Sequence, residues 1–240
     1  MIRLDKLVSA AGGVSRQEAR KRILSGAVTV DGAVVTQIDF KIDEQRSAVA
    51  MSGSALTYRQ YRYFMMDKPA GVLTATTDRD QRTVLDLLPE ELRRLKLVPA
   101  GRLDKDTTGL LLLTNDGDYV HRVISPRHNV PKVYYAETDG MPNEADVRRF
   151  AEGVTLSDGT KCLPARLELL PDRAACRVTV REGKYHLVRR MLASCGTPVV
   201  TLRRLSIGSL HLDKMLKPGD FRELSDAEVQ AVFLDGAPQN

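Results

Sequence analysis

Residues 101–117 read Gly-Arg-Leu-Asp-Lys-Asp-Thr-Thr-Gly-Leu-Leu-Leu-Leu-Thr-Asn-Asp-Gly, and no other stretch constrains the fold so tightly. A charged loop, Arg102 to Thr108, runs directly into four leucines, Leu110 to Leu113, and Asn115-Asp116-Gly117 breaks the run. A short apolar run bounded by Gly and turn formers predicts a fully buried strand. Such a strand holds Asp104 rigidly at its mouth, between Arg102 and Lys105. A carboxylate fixed among cations stays ionised at neutral pH, which suits a nucleophile or base working on a polyanion. An Asp in a loop is ordinarily a turn former or a helix cap, and on these residues alone that reading stands beside the catalytic one.

A chain of 240 residues can form one large domain, or a small one and a medium one. With 42% hydrophobic and 28% charged residues it is globular rather than disordered. The net charge of +5 favours an anionic partner, nucleic acid first. The three cysteines, Cys162, Cys176 and Cys195, match no metal knuckle, and an odd number argues against a disulfide framework, so reduced thiols in a cytoplasmic protein are expected. His121, His128, His186 and His211 pair with no Cys or carboxylate at ligand spacing, so no structural zinc is expected. The N-terminus carries no apolar signal core, and no stretch is long enough to span a bilayer.

The first segment, residues 1–54, reads as a unit of its own. Leu4, Leu7, Val8 and Ala11 recur at helical spacing until Gly12-Gly13. Ser15 with Glu18 forms a capping-box pattern opening a second helix, which carries Arg16, Arg20, Lys21 and Arg22, with Ala19 and Ile23 facing the other way. Val28-Thr29-Val30-Asp31-Gly32-Ala33-Val34-Val35 is a hairpin signal. A cationic helix is ordinarily a solvated face; here it is also a candidate phosphate-contacting surface. Ser52-Gly53-Ser54 reads as a linker.

A second unit is expected over residues 60–235. Strands are predicted at Tyr61 to Met66, Lys132 to Glu137, Val154 to Leu156, Ala165 to Leu170, Arg177 to Val180, Val199 to Leu202 and near Ile207. Short helices are predicted over Thr83 to Leu88 and Glu90 to Leu95, and a longer one capped by Asn143 and closed at Gly153. Leu187, Val188, Met191, Leu192 and Cys195 form one helical stripe, from which Arg189 and Arg190 project elsewhere. Strands dominate without regular alternation with helices, which predicts an α+β fold with a mostly antiparallel sheet. Residues 184–204 hold Lys184, Arg189, Arg190, Arg203 and Arg204 and no acid. A cation from this region paired with Asp104 would keep that carboxylate charged and hold its rotamer.

Four ordered motifs together resemble the RsuA/RluB-type pseudouridine synthases: the 101–117 run, Lys68-Pro69-x-Gly71, Lys132-x-Tyr134, and Glu182-Gly183-Lys184-Tyr185-His186-x-Val188-Arg189-Arg190-Met191. Asp67 stands where the family pattern has Asn, and Leu187 where it has Gln. Residues 3 to 50 resemble the αL RNA-binding motif of a small-subunit ribosomal protein, which implies binding to structured RNA through Arg16, Arg20, Lys21 and Arg22. The resemblance implies Asp104 as the catalytic aspartate, Arg189 as its basic partner, Tyr134 as the platform stacking on the target base, and Arg102 as the side chain filling the gap left by the extruded base. Lys184, His186 and Arg190 are then expected to bind substrate. Ser125-Pro126-Arg127-His128 and the Lys-Tyr-His at 184–186 look most like the members acting on small-subunit ribosomal RNA. The implied partner is ribosomal RNA or a pre-ribosomal particle, met by a monomer. Large-subunit RNA, or a non-catalytic RNA-binding assembly factor, are the alternatives.

Overall fold

A computed structural model describes residues 1–44, 46–171 and 173–235. The chain divides into two compact units, Met1–Tyr61 and a second from Arg62 onward. In the first, β1 (Ile2–Arg3) leads into α1 (Leu4–Ala11) and α2 (Arg16–Leu24), followed by β2 (Val28–Val30), β3 (Ala33–Val34), β4 (Lys41–Ile42), β5 (Val49–Met51) and β6 (Ser54–Leu56). The helical stripe Leu4, Leu7 and Val8 packs on Ala19 and Ile23 and on Val28, Val30, Ile42 and Val49. Ser15 caps α2 by accepting from the Glu18 amide at 3.1 Å. The reciprocal half of the expected capping box is missing, because the Glu18 carboxylate takes Arg22 Nε at 2.9 Å. Asp31 and Gly32 adopt φ of 52° and 85°, the double left-handed turn that a two-residue hairpin requires. Ser52 and Gly53 do the same between β5 and β6, so the expected linker at Ser52–Ser54 is a second hairpin turn.

In the second unit the elements are β7 (Tyr63–Lys68), a 3-10 turn (Val84–Leu87), α3 (Glu90–Arg93), β8 (Val98–Pro99), β9 (Thr108–Thr114), α4 (Gly117–Ile124), β10 (Lys132–Thr138), α5 (Glu144–Glu152), β11 (Arg166–Leu169), β12 (Ala175–Val180), α6 (Leu187–Ser194), β13 (Val199–Ile207), β14 (Leu210–His211), β15 (Phe221–Glu223) and α7 (Asp226–Ala231). Among the described residues nine strands share one sheet, ordered β11-β12-β10-β13-β9-β7-β15, with β14 on β13 and β8 on β9. The unit is α+β. Its strand pairs are antiparallel except for β9 on β13, which is parallel.

The leucine strand is buried on both faces, as its composition predicts. Leu110 and Leu112 join Met65, Tyr119, Val123 and Ile207 on one side. Leu111 and Leu113 join Phe64, Met66, Val84 and Leu97 on the other. A third cluster sets Phe150 of α5 and Leu187, Val188, Met191 and Leu192 of α6 against Ala136, Val178 and Leu202 of the sheet. Gly109 makes the parallel seam possible. It holds φ of 100°, and a Cβ there would lie 2.3 Å from the Arg204 carbonyl oxygen. Two expectations need correction. Thr155 forms only an isolated bridge to Lys161, so residues 154–156 are not a strand. The separate strands expected near 199–202 and 207 are one continuous strand. Among the described residues no helix is long and apolar enough to cross a membrane.

Candidate active site

Asp104 sits in the loop between β8 and β9, and that loop is tied down from below. Thr74 Oγ1 donates to the Leu103 carbonyl at 2.7 Å and accepts from the Leu103 amide at 3.2 Å. The Thr107 amide donates to the Asp104 carbonyl at 3.1 Å, closing a turn. The Gly71 amide donates to the Lys105 carbonyl at 2.9 Å. Beneath the turn lies Lys68 at the end of β7, a lysine with 0% exposure. Its Nζ donates to the carbonyls of Pro69 at 2.9 Å, Lys105 at 3.0 Å and Thr107 at 3.0 Å. Burial pulls this ammonium down to about 8, against the opposing pull of the Asp106 and Asp104 charges. An ammonium has three donors, and here all three are spent on fixing backbone around the aspartate.

The Asp104 side chain is one-third exposed and meets two groups from the start of α6. His186 Nε2 lies 3.4 Å from Oδ1, and Arg189 Nε lies 3.9 Å from Oδ2. The distance to Arg189 is that of an ion pair rather than a direct hydrogen bond. The apolar stripe of α6 is in the core, which turns Arg189 toward the loop. His186 caps α6 in the left-handed conformation, φ 49° and ψ 34°.

Asp104 and His186 border a cleft of about 460 Å³, lined also by Arg102, Lys132, Tyr134, Lys184, Tyr185 and Arg204. Its volume is in the range of small-molecule sites and suits one nucleotide. Tyr134 is half-buried on β10, and the Arg204 guanidinium carbon lies 5.9 Å from its ring centroid. Arg204, 3% exposed, donates from Nε to the Leu110 carbonyl at 2.7 Å, and from Nη1 to the Arg102 carbonyl and the Tyr134 hydroxyl, both at 3.4 Å. Its Nη2 is buried and makes no hydrogen bond among the described residues. Lys132 donates to the carbonyls of Val123 at 3.1 Å and Val130 at 2.9 Å; burial, then the Arg204 charge, pull it down to about 8. Lys68, Lys132 and Arg204 thus carry positive charge into the interior on carbonyl dipoles, without a contacting carboxylate among the described residues. Such a site favours an anion or a group that becomes one. A larger hollow of about 710 Å³ opens on the other face of the sheet, beside Val133 and Arg203, but its Arg166 and Arg203 are turned to Glu168 and Asp67.

Of the residues singled out from the sequence, Asp104, Arg102, Tyr134, Lys184 and His186 line the cleft, and Arg189 reaches Asp104. Arg190 does not join them; it pairs with Asp158 at 2.5 Å. In the N-terminal unit Arg16 and Lys21 are exposed, whereas Arg20 pairs with the buried Asp5 at 3.3 Å and Arg22 with Glu18. Burial pushes the Asp5 carboxyl up, but the hydrogen bonds from Arg3 and Arg20 outweigh it and hold the group below its usual range. Sequence reasoning named Lys68, Lys132 and Tyr185 only as motif positions and Arg204 only within a basic stretch, and gave none of the four a role in the site. A lysine or arginine adjoining the apolar residues of a strand was the available signal for the first three. Asp67, in place of the family's Asn, is fully buried and accepts from Arg203 Nη2 at 2.7 Å. Leu187 packs into the α6 core.

Comparison with known proteins fits this geometry. The pattern of RNA pseudouridylate synthases matches residues 62–194, and that of the S4 domain residues 2–45. The chain belongs to the RNA pseudouridylate synthase family. It is 42% identical over 235 residues to ribosomal small subunit pseudouridine synthase A of Salmonella typhimurium, covering 96% of this chain and 100% of the relative. It is also 42% identical over 231 residues to an uncharacterized RNA pseudouridine synthase of Bacillus subtilis, covering 95% and 97%. A crystal structure of a pseudouridylate synthase superposes with a TM-score of 0.68 at 35% identity, covering 97% of this chain and 100% of that one. The synthase therefore pairs an S4 domain with a catalytic unit that isomerises uridine to pseudouridine in RNA.

Proposed function

We propose that this synthase modifies a uridine in small-subunit ribosomal RNA, with Asp104 as the group that acts on the target nucleotide. The observation that carries the reading is the Asp104 carboxylate, open to the cleft and flanked by His186 and Arg189. The target base leaves its stack at a cost of a few kcal/mol. Tyr134 stacks on it, and Arg102 occupies the space it leaves. Asp104 then either attacks C1′ or removes a ribose proton to give a glycal; both routes break the N1–C1′ bond. The departing uracil carries negative charge, which Arg204 and Lys132 face. The ring turns and C5 bonds to C1′, displacing the Asp104 carboxylate on the first route, or with Asp104 returning its proton to C2′ on the second; the C5 proton is then lost and N1 is protonated, so atoms and electrons balance without a redox partner.

The names of the relatives support ribosomal RNA as the substrate, and the match to the S4 domain supports a separate RNA grip, for which α2 offers Arg16 and Lys21, exposed, while Arg20 and Arg22 are engaged by Asp5 and Glu18. The enzyme is read as a cytoplasmic monomer acting on RNA or a pre-ribosomal particle. Its thiols fit a reducing compartment: burial pushes all three up, Cys176 to about 11, which keeps them unreactive. Mapping pseudouridine in ribosomal RNA from cells lacking the protein tests the assignment. Loss of a modification in the small subunit is expected; loss confined to the large subunit would move the substrate there.

A further inference from the structure

One aromatic pair at the rim of the cleft has no part in the chemistry above. Tyr185 is 74% exposed, although tyrosine rings in folded proteins are mostly covered. It is among the residues lining the cleft. Its ring stacks on that of His186 with centroids 3.7 Å apart and planes 18° from parallel. The far side of the pair is His186 Nε2, 3.4 Å from the Asp104 carboxylate. The stack therefore runs from solvent to the reacting group.

The backbone is held in an uncommon shape to present it. His186 has φ of 49°, a left-handed conformation uncommon among non-glycine residues, although Asn, Asp and His adopt it more often than the rest. On one side α6 fixes the chain through its buried apolar stripe. On the other, Lys184 Nζ is held by Glu182 at 2.8 Å and by the Lys161 carbonyl at 3.1 Å. Among the described residues the Tyr185 hydroxyl makes no hydrogen bond, so the ring face is what this arrangement offers. An exposed aromatic face beside a cationic cleft is how single-stranded nucleic acid is gripped, because every base has a π-face.

We propose that the Tyr185–His186 pair is a stacking platform for an unpaired nucleobase adjacent to the target uridine. Tyr134, half-buried on the cleft floor, serves the target base, and Tyr185 at the rim takes its neighbour. This rests on the reading that the cleft receives a swung-out uridine.

The test uses the full-length protein and an RNA fragment that the wild type modifies, with 2-aminopurine placed on either side of the target uridine. Stacking quenches this fluorophore. The wild type and Tyr185→Phe should quench one of the two positions and share the same kcat/KM. Tyr185→Ala should lose that quenching and lower kcat/KM about tenfold, inside the range of about 5- to 150-fold expected for one base–aromatic stack. Because Tyr185 is exposed, the Ala variant removes no core packing. Quenching and kcat/KM within twofold of wild type in Tyr185→Ala would overturn the proposal, as would a Phe variant that falls as far as Ala. Tritium release by Asp104→Asn on the same RNA reads the parent assignment separately, whichever way the fluorescence falls.

Discussion

Replacing Lys68 by Met tests whether a buried ammonium organises the catalytic loop. The side chain is fully buried and its three donors go to the carbonyls of Pro69, Lys105 and Thr107, the last two on either side of Asp106 and just past Asp104. Met has similar length and no donor. The Lys105 carbonyl keeps the Gly71 amide, and each of the other two, left without a partner, costs about 1–3 kcal/mol. Removing the charge offsets part of this, because the depression of Lys68 from 10.5 to about 8 corresponds to roughly 3 kcal/mol. The net loss of stability should be on the order of 1 kcal/mol. Activity should fall further than folding does. Freed carbonyls let the turn relax, and a displacement of about 1 Å at a reacting group costs about 100-fold in rate. Urea midpoints give the first quantity, and tritium release from uridine labelled at C5, measured where the variant is folded, gives the second. A kcat within twofold of wild type would refute the argument that Lys68 positions Asp104.

Raising the pH should separate activity from stability. Lys68 and Lys132 lose their charge as pH rises through about 8, so kcat/KM should decline above that point. Stability should move the other way. The folded values lie below the unfolded one near 10.5, so between about 8 and 10.5 the unfolded chain binds more protons and the contribution of these two groups to unfolding free energy rises with pH. A pH–rate profile and urea midpoints at the same pH values check both signs; parallel decline of the two would contradict the reading. On the N-terminal unit, neutralising Arg16 and Lys21 should weaken RNA binding and lower the slope of log affinity against log salt by about 2, one for each phosphate contact. An unchanged slope would make α2 a solvated face.

Much of this arrangement was legible from the residues themselves. The Leu110–Leu113 run between Gly109 and Asn115 fits a strand covered on both faces, and it is one. The α6 stripe left Arg189 free to meet Asp104. Its neighbour Arg190, about 100° round the helix, points instead to Asp158; periodicity does not say which of the two meets Asp104, and only the family resemblance singled out Arg189. Lys68, Lys132 and Arg204 were harder still. Their partners are carbonyl oxygens, some supplied by residues distant along the chain, as when Arg204 meets Leu110. Every residue has a carbonyl, so composition cannot mark the ones that will converge. Ser52-Gly53 illustrates the same limit on a smaller scale, since small polar residues suit a linker and a left-handed hairpin turn equally well. Arg20 and Arg22 were counted toward an RNA-facing surface because their acids, Asp5 and Glu18, act through folded geometry rather than through charge totals.

The central claim is that one carboxylate, Asp104, performs the chemistry while the rest of the cleft positions and stabilises. Tritium release by Asp104→Asn against wild type, on the same RNA and with matched folding, addresses it most directly. The substitution removes a charge and almost no packing, so turnover should vanish while RNA affinity stays within a few-fold. Turnover at a measurable fraction of the wild-type rate would show that another group acts on the nucleotide.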